Sequence, residues 1–526
     1  MSGAFEKRDD KANRREERAQ KELQQRKKTR VITISITVAF LLILAVSLFV
    51  NSRYVRRSVT AITIGGVDFS AAEFDYFYSR AFGAYQEAVQ AEQGEFAFAY
   101  LPADDIPHSR QTYPDDSGMT WADFFVNLAI EQTTQDAKFY NAARASGYVL
   151  PEDMIEAIES QISMHRLYAE WNGHPSLDSF IQAIYMSSSM NERALRNVLE
   201  FEYTAMSFSE HMYNSFEYSP EMLAEYYFEN RDNLDLFTYM FLTVRSENVL
   251  RDDYDSDDDY EEAREAALEV AREEAARIAE EAVTEEDFRD LAREYDPGQY
   301  DNTDSMFVTY PGSWLPNTYA SWLQDDARQY GDVDLFDYSF GATVVFFIGR
   351  DPNEYRTVNM RQMLFSIGTL YEEMFAEGED DPVYQEYAEQ AIVEARERAT
   401  DALNLLNEGV AEGRDIEEVF IELLEEHSED MTEGGLYELI TKSPAGLTRE
   451  PEVEEWLFSS ERQIGDVEMI RTEASGYHLV LVTGFGERYC DHLSAEAMRN
   501  KDYQEWRDSL TAPDHIKRWA FAFAQR

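Results

Sequence analysis

The chain contains almost no cysteine and, beyond its N-terminal tail, almost no lysine. Cys490 is the single cysteine in 526 residues, which excludes an intramolecular disulfide and a cysteine-rich zinc site. Between residues 58 and 526 there are 33 basic and 97 acidic residues, and only four of the basic ones are lysines. So large an excess of negative charge repels phosphate backbones, so the sequence predicts no nucleic-acid partner.

The sequence also lacks the motifs of metal, nucleotide and hydrolase sites. It contains no H-E-x-x-H, no G-x-S-x-G and no phosphate-binding loop, and its eight histidines are scattered. We therefore predict no metal and no cofactor. Hydrophobic residues nevertheless make up 44% of the chain and aromatic residues 13%, too many for a disordered acidic chain. A chain of 526 residues is long enough for several packed domains.

The first fifty residues combine a basic tail with an uncharged stretch. Residues 1–30 hold eleven Lys or Arg and six Asp or Glu, and residues 31–50 contain no charge, proline or glycine. Such a stretch in a helix spans a hydrocarbon core of about 30 Å, so residues 31–50 are predicted to form a transmembrane helix. A cleaved signal peptide is the alternative, but residues 51–57 offer no small-residue cleavage site. More basic residues precede the helix than follow it, which predicts a cytoplasmic N-terminus and an extracytoplasmic bulk.

Residues 58–235 are predicted to form a mainly helical domain. Residues 61–70 indicate two short strands joined by a Gly-Gly turn, after which Ser70 and Glu73 form the capping box of a helix. Apolar residues then recur at helical spacing in several blocks. The aromatic stripes in these blocks fit a helical core, and the alternative is that some of them line a groove for unfolded chains.

Four segments of this region follow a known order: AITIGGVDFSAAEFDYFY, ASGYVLPEDMIEAIESQI, SMNERALRNVLEFEYTAM and YSPEMLAEYYFENRDNL. In that order they resemble the N-terminal chaperone domain of SurA/PrsA-like foldases. The resemblance implies a domain that binds unfolded or newly secreted polypeptides. It also implies that residues 488–526 form a C-terminal helix that packs back on this chaperone domain.

Beyond residue 236, a pattern of strand, helices and strand occurs twice. Its sharpest signature is Trp-Leu, then Gly-Asp-Val, then Gly, at nearly equal spacing from Trp322 to Gly341 and from Trp456 to Gly476. The repeat predicts two modules of one α+β fold, residues 236–352 and residues 355–487. The α+β class follows because strands at both ends of each copy must pair around its helices.

Four motifs of the second copy carry a further resemblance: RQMLF at 361–365, SEDMTEGGL at 428–436, WLFSSERQIGDV at 456–467 and SGYHLV at 475–480. They resemble the parvulin (PpiC-type) peptidyl-prolyl cis-trans isomerases. That family has a pair of histidines beside an Asp or Cys, with hydroxyls that complete the network. The resemblance therefore implies a prolyl isomerase fold for residues 355–487.

The resemblance also implies roles for single residues. His478 matches the second histidine of the family, Asp430 the Asp or Cys position and Ser475 the hydroxyl before Gly-Tyr-His. Gln362 stands where the first histidine belongs, and it exchanges hydrogen bonds without changing charge. The residues implied for the proline pocket are Leu447, Trp456, Leu457 and Phe458.

The first copy departs from this pattern. Thr343 stands where the second copy has His478, and no Ser-x-Asp followed by Gly-Gly precedes Trp322. We therefore expect the module of residues 236–352 to be degenerate and to bind chains or act as a spacer.

Together these features predict a membrane-anchored extracytoplasmic foldase. It would bind unfolded secreted polypeptides through its helical domain and isomerise their X-Pro bonds with residues 355–487. The alternatives are a holdase without enzyme activity and an envelope scaffold that retains the fold. The sequence leaves a homodimer open.

Overall fold

The chain folds as a mixed α+β protein, as the sequence predicts. The computed structural model describes residues 27–49, 52–103, 105–115, 117–300, 302–368, 382–443, 450–472 and 475–518. The chain divides into two units, Met1–Phe216 with Lys501–Arg526, and Glu217–Asn500.

The first described element is an apolar helix, α1 (Lys27–Phe49), which contains an 18-residue stretch with a mean hydropathy of 2.7. It is long and apolar enough to cross a membrane, and its side chains are exposed throughout. A signal sequence near an N-terminus can meet the same criteria of length and hydropathy.

The remainder of the first unit is a helical bundle that begins with a small hairpin. The predicted capping box is confirmed, because the Ser70 side chain accepts from the Glu73 backbone and the Glu73 carboxylate accepts from the Ser70 backbone. Phe74, Phe77 and Phe201 are buried in one hydrophobic core, so these aromatic side chains are core residues. The elements are α2 (Arg53–Ser58), β1 (Thr60–Ile64), β2 (Val67–Ser70), α3 (Ala71–Gln93), α4 (Trp121–Ser146), α5 (Glu152–Trp171), α6 (Leu177–Ile184) and α7 (Glu192–Asn214).

The second unit begins with a helix that we predicted to belong to the helical domain. This helix, α8 (Pro220–Leu234), is followed by Asp235, whose buried carboxylate accepts hydrogen bonds from Tyr227 and Arg350 of the same unit. The division therefore falls before α8, at Phe216, rather than at residue 235. The reason is that α8 packs on the sheet module that follows it.

Two four-stranded antiparallel sheets follow, and their strand orders are equivalent. The first module has the order β4-β3-β6-β5 and the second β8-β7-β10-β9. The elements of the first are β3 (Leu236–Arg245), α9 (Asp257–Glu281), α10 (Glu285–Tyr295), β4 (Phe307–Pro311), α11 (Ala320–Leu323), β5 (Val333–Tyr338) and β6 (Gly341–Asp351). Those of the second are β7 (Arg356–Ser366), α12 (Pro382–Ala411), α13 (Ile416–His427), β8 (Leu436–Ile440), α14 (Pro451–Leu457), β9 (Val467–Thr472) and β10 (Gly476–Arg488).

The repeated sequence signature coincides with these elements. Its Trp-Leu pairs end α11 and α14, its Gly-Asp-Val runs lead into β5 and β9, and its glycines begin β6 and β10. Gly341 and Gly476 both have positive φ, at 150° and 126°. A Cβ atom there would lie 2.0 Å from the Val244 carbonyl oxygen and 2.5 Å from that of Phe365, so both copies require glycine.

The C-terminal segment returns to the first unit. The last helix, α15 (Tyr489–Ser509), places the Trp506 ring in a stack with Phe139, 5.6 Å between centroids. The final strand, β11 (Ile516–Lys517), then pairs antiparallel with β1.

Candidate active site

The predicted catalytic residues lie around one face of the second sheet. β7 and β10 pair antiparallel, with Gln362 opposite Val480 and Leu364 opposite His478. Because side chains alternate between the faces of a sheet, these four share one face. The opposite face is covered by α12 and α13, against which it packs Met363, Phe365, Tyr477, Leu479 and Leu481.

Asp430 is held by three hydrogen-bond donors at one side of this face. Gln362 Nε2 donates to Asp430 Oδ2 at 3.1 Å, and the Tyr437 hydroxyl donates to the same oxygen at 2.8 Å. The backbone N–H of Thr432 donates to Asp430 Oδ1 at 2.9 Å. Burial raises the pKa of Asp430, but these donors and the Thr432 hydroxyl outweigh burial and hold the pKa below its ordinary value. Asp430 is therefore an anion near neutral pH, and its charge orients the Gln362 amide.

Hydrogen bonds to the backbone at the edge of β7 explain the spacing of the Ser-x-Asp motif. Ser428 Oγ accepts from the backbone N–H of Leu364 at 3.1 Å and from that of Asp430 at 3.0 Å. The Glu429 N–H donates to the Leu364 carbonyl at 2.9 Å. The motif thus fixes the Asp430 backbone beside β7, which brings its side chain to Gln362.

His478 lies on the same face with only 3% of its side chain exposed. Its Nε2 is 3.1 Å from the Thr472 hydroxyl and 3.6 Å from Glu450 Oε2. Its Nδ1 is buried and has no hydrogen-bond partner among the residues that the structure describes. Burial lowers the pKa of His478, and the negative charges of Glu450, Asp430 and Glu452 do not fully offset this effect. The imidazole is therefore neutral near pH 7.

Ser475 contacts a carboxylate rather than the imidazole. Its hydroxyl donates to Glu450 Oε1, the other oxygen of the carboxylate that faces His478. The four predicted catalytic residues thus form two adjacent groups. Gln362 and Asp430 are hydrogen-bonded to each other, while His478 and Ser475 meet through Glu450.

Three residues predicted for the proline pocket, Trp456, Leu457 and Phe458, pack in one hydrophobic cluster with Val480, which shares the sheet face of Gln362 and His478. Leu457 is buried in the core against Val480 and Val482, and the Trp456 ring packs under the Arg462 guanidinium at 4.8 Å. Leu447 lies outside the described residues.

Phe458 lies at the other end of β10. It lines a groove of about 260 Å³ with Tyr355 and Phe485. Phe485 is seven residues beyond His478, roughly 20 Å along an extended strand. Phe458, the residue that follows α14, is partly buried against the same cluster, and its ring lies 5.3 Å from that of Tyr355 between centroids. The groove and the His478 group are therefore separate places.

Three residues of the site are absent from the sequence-based set: Tyr437, Thr472 and Glu450. Thr472 faces His478 because β9 pairs with β10 and the chain reverses between them. Tyr437 stands on β8, the strand beside β7. No spacing rule identifies these partners without the strand register, and Glu450 carries no local motif.

The first module has different chemistry at the equivalent positions. Thr343 lies opposite Thr243 as His478 lies opposite Leu364, and the two threonine hydroxyls are 2.9 Å apart. Phe241, opposite Val345, stands where the second module has Gln362. This face is filled by an aromatic cluster that includes Tyr239 and Tyr319. The first module therefore lacks the imidazole and the amide of the candidate site.

Within the described ranges, no three His, Cys, Asp or Glu side chains are grouped so that they could hold a metal ion. Comparison with known proteins adds no assignment, because no protein-family model and no curated protein sequence matches this chain.

Proposed function

We propose that this chain is a membrane-anchored extracytoplasmic foldase whose second sheet module isomerises X-Pro peptide bonds. The observation that carries the proposal is the pair of polar groups on one sheet face, Gln362 with Asp430 and His478 with Glu450. The layout of a helical domain followed by two parvulin-like modules is part of the same proposal. It is supported by the equivalent strand orders of the two sheets.

Prolyl isomerisation requires few catalytic groups. The barrier to rotation about a peptide bond is about 18–20 kcal/mol, and no covalent bond is made or broken when it is crossed. Polar groups that favour the twisted amide over the planar one lower this barrier, each 1.36 kcal/mol giving about tenfold in rate. No nucleophile or cofactor is needed.

The site residues fit this requirement. Asp430 fixes one amide hydrogen of Gln362, and no second partner of this amide lies within the described residues. Gln362 can therefore donate to and accept from a bound peptide while held in place. The neutral imidazole of His478 supplies a second polar group without placing a positive charge against an apolar proline ring. Leu364, half-buried between them on this face, is the apolar side chain for that ring.

A holdase without enzyme activity is the second candidate, and a specific observation favours it. The first module has Phe241 and Thr343 where the second has Gln362 and His478. At least one of the two modules therefore has a role other than prolyl isomerisation. Exposed aromatic side chains in the first unit fit such a role, since Phe96 and Phe98 are 69% and 76% exposed.

The proposed location places α1 across the membrane with the N-terminus in the cytoplasm, and more basic residues before the helix than after it support this orientation. Protease added to intact cells should digest the chain beyond residue 57 and leave an N-terminal tag protected. Digestion of the tag with protection of the bulk would reverse the assigned orientation.

The function is tested with the full chain in detergent micelles. A protease-coupled assay on a proline-containing peptide should show isomerisation well above the uncatalysed rate, which has a time constant of tens of seconds. Suppression of client aggregation is measured in parallel. Should the wild-type chain and its Gln362→His variant both fail to accelerate isomerisation while aggregation is suppressed, the holdase replaces the enzyme.

A further inference from the structure

The first unit contains a cleft of about 620 Å³ that the isomerase proposal does not use. Its walls come from α3, α4, α5 and α7 and from the residue after α6. Its lining combines three tyrosines with two carboxylates and one arginine: Tyr76, Tyr185, Tyr203, Asp136, Glu202 and Arg80.

One of the two carboxylates is fully paired. Glu202 accepts a hydrogen bond from the Tyr76 hydroxyl at 2.7 Å and another from Arg80 Nη1 at 2.5 Å. The Arg80 guanidinium also lies 5.7 Å from the centre of the Tyr76 ring. The single arginine of the cleft is thus bound to Glu202.

The other carboxylate has no such partner. No hydrogen bond or ion pair joins Asp136 to any residue in the described ranges. Burial, and then the charge of Glu202, raise the pKa of Asp136 to about 6, and Arg80 only partly opposes them. Near neutral pH the partly desolvated cleft therefore contains two negatively charged carboxylates and only one positively charged guanidinium. A cation bound beside Asp136 would relieve this imbalance.

We propose that this cleft binds the cationic side chain, arginine or lysine, of an extended polypeptide. The charged group pairs with Asp136, and its hydrocarbon stem lies against the rings of Tyr185 and Tyr203. This cation site depends on the proposed foldase function in one respect, because an unfolded client polypeptide is taken as the source of the side chain.

The residues that line the cleft favour a cationic side chain over a metal ion. Divalent cations take several oxygen ligands, whereas here one of the two carboxylates is already paired with the Arg80 guanidinium. Aromatic rings contribute nothing to a hydrated dication but pack well against a methylene stem. The acidic surface of residues 58–526 also attracts basic segments of a client.

The charged and titratable groups that face Asp136 come from each neighbouring element. α3 supplies Tyr76 and Arg80, α7 supplies Glu202 and Tyr203, and the end of α6 supplies Tyr185, whose hydroxyl is 3.2 Å from His165 Nε2 on α5. Burial raises the pKa of Tyr76 and of Tyr185, so both remain neutral phenols. Burial also raises the pKa of Glu202, although its hydrogen bonds with Tyr76 and Arg80 oppose this effect, whereas Asp136 has no such donors among the described residues and its pKa rises to about 6.

The test compares two fluorescently labelled, unstructured peptides that differ at one position, arginine or its neutral analogue citrulline. Binding to the full chain in detergent micelles is measured by anisotropy near physiological ionic strength, where exposed charges are screened within about 8 Å. At about pH 7.5 the arginine peptide should bind about tenfold more tightly than the citrulline peptide. Asp136→Asn should abolish this preference. Glu131→Gln, at an exposed position of the same helix, should retain it.

A second measurement does not depend on any variant. With the wild-type chain, the preference should shrink as the pH falls through about 6, because protonation of Asp136 removes its charge while ordinary surface carboxylates stay ionised. Equal binding of the two peptides, or a preference that Asp136→Asn leaves intact, overturns the proposal. The chain could show neither isomerisation nor suppression of aggregation and still prefer the arginine peptide through Asp136. That result would contradict the proposed function and support the cation-binding cleft.

Discussion

His478→Ala is expected to lower kcat/KM for prolyl isomerisation about five- to 150-fold, the equivalent of one network interaction of roughly 1–3 kcal/mol. The substitution removes the imidazole that faces Thr472 and Glu450 on the candidate face. The measurement is the protease-coupled assay with the full chain, accompanied by a circular dichroism melt to show that the module remains folded. His478→Gln, which keeps a polar group within reach of Thr472, should recover part of the lost rate.

The repeat provides a matched control. Thr343→Ala changes the equivalent position of the first module and should leave the rate unchanged, because that module lacks the amide and the imidazole. The wild-type rate should also be flat from about pH 7 to 8.5, since burial keeps the pKa of His478 below its ordinary value of about 6.5. If Thr343→Ala lowered the rate as much as His478→Ala, the assignment of catalysis to the second module alone would be wrong.

Asp235→Ala is expected to destabilise the second unit by about 3–5 kcal/mol, the range for removing one partner of a buried ion pair. The Asp235 side chain is only 3% exposed and accepts from Arg350 Nε at 2.5 Å and from the Tyr227 hydroxyl at 2.6 Å. Without it, the half-buried guanidinium at the junction of α8 and β6 loses its buried acceptor. Among the described residues it keeps only the exposed carboxylates of Asp232 and Asp326 and the Gln324 carbonyl, and the phenol keeps only the Pro352 carbonyl. Urea denaturation followed by circular dichroism should show a lower midpoint.

Asp326→Ala is the control for this prediction. Asp326 contacts the same arginine, with Arg350 Nη1 3.4 Å from its Oδ1, but its side chain is 64% exposed. Exposed ion pairs contribute about 0–1 kcal/mol, so this variant should melt close to the wild type. If both variants melted alike, burial of Asp235 would not be what stabilises the junction.

The sequence predicts those parts of the protein whose cause is local. The apolar run that becomes α1 and the Ser70 to Glu73 capping box are each specified by a few adjacent residues. The internal repeat was also visible, because Gly341 and Gly476 fill backbone positions that no side chain can occupy. The resemblance to parvulins implies that Gln362 and Asp430 belong to one site, and in the structure the Gln362 amide donates to the Asp430 carboxylate.

Only the tertiary structure decided which distant residues complete the sites. Tyr437, Thr472 and Glu450 reach Asp430 and His478 through strand register, through the reversal between β9 and β10, and from the residue that precedes α14. The same holds for α8, which the sequence joined to the helical domain and the packing joins to the second unit. Asp136 is the clearest case, since its neighbours Tyr76, Tyr185 and Glu202 lie about fifty to sixty-five residues away along the chain. Local patterns encode backbone conformation, whereas the charge balance of a cleft depends on which helices meet.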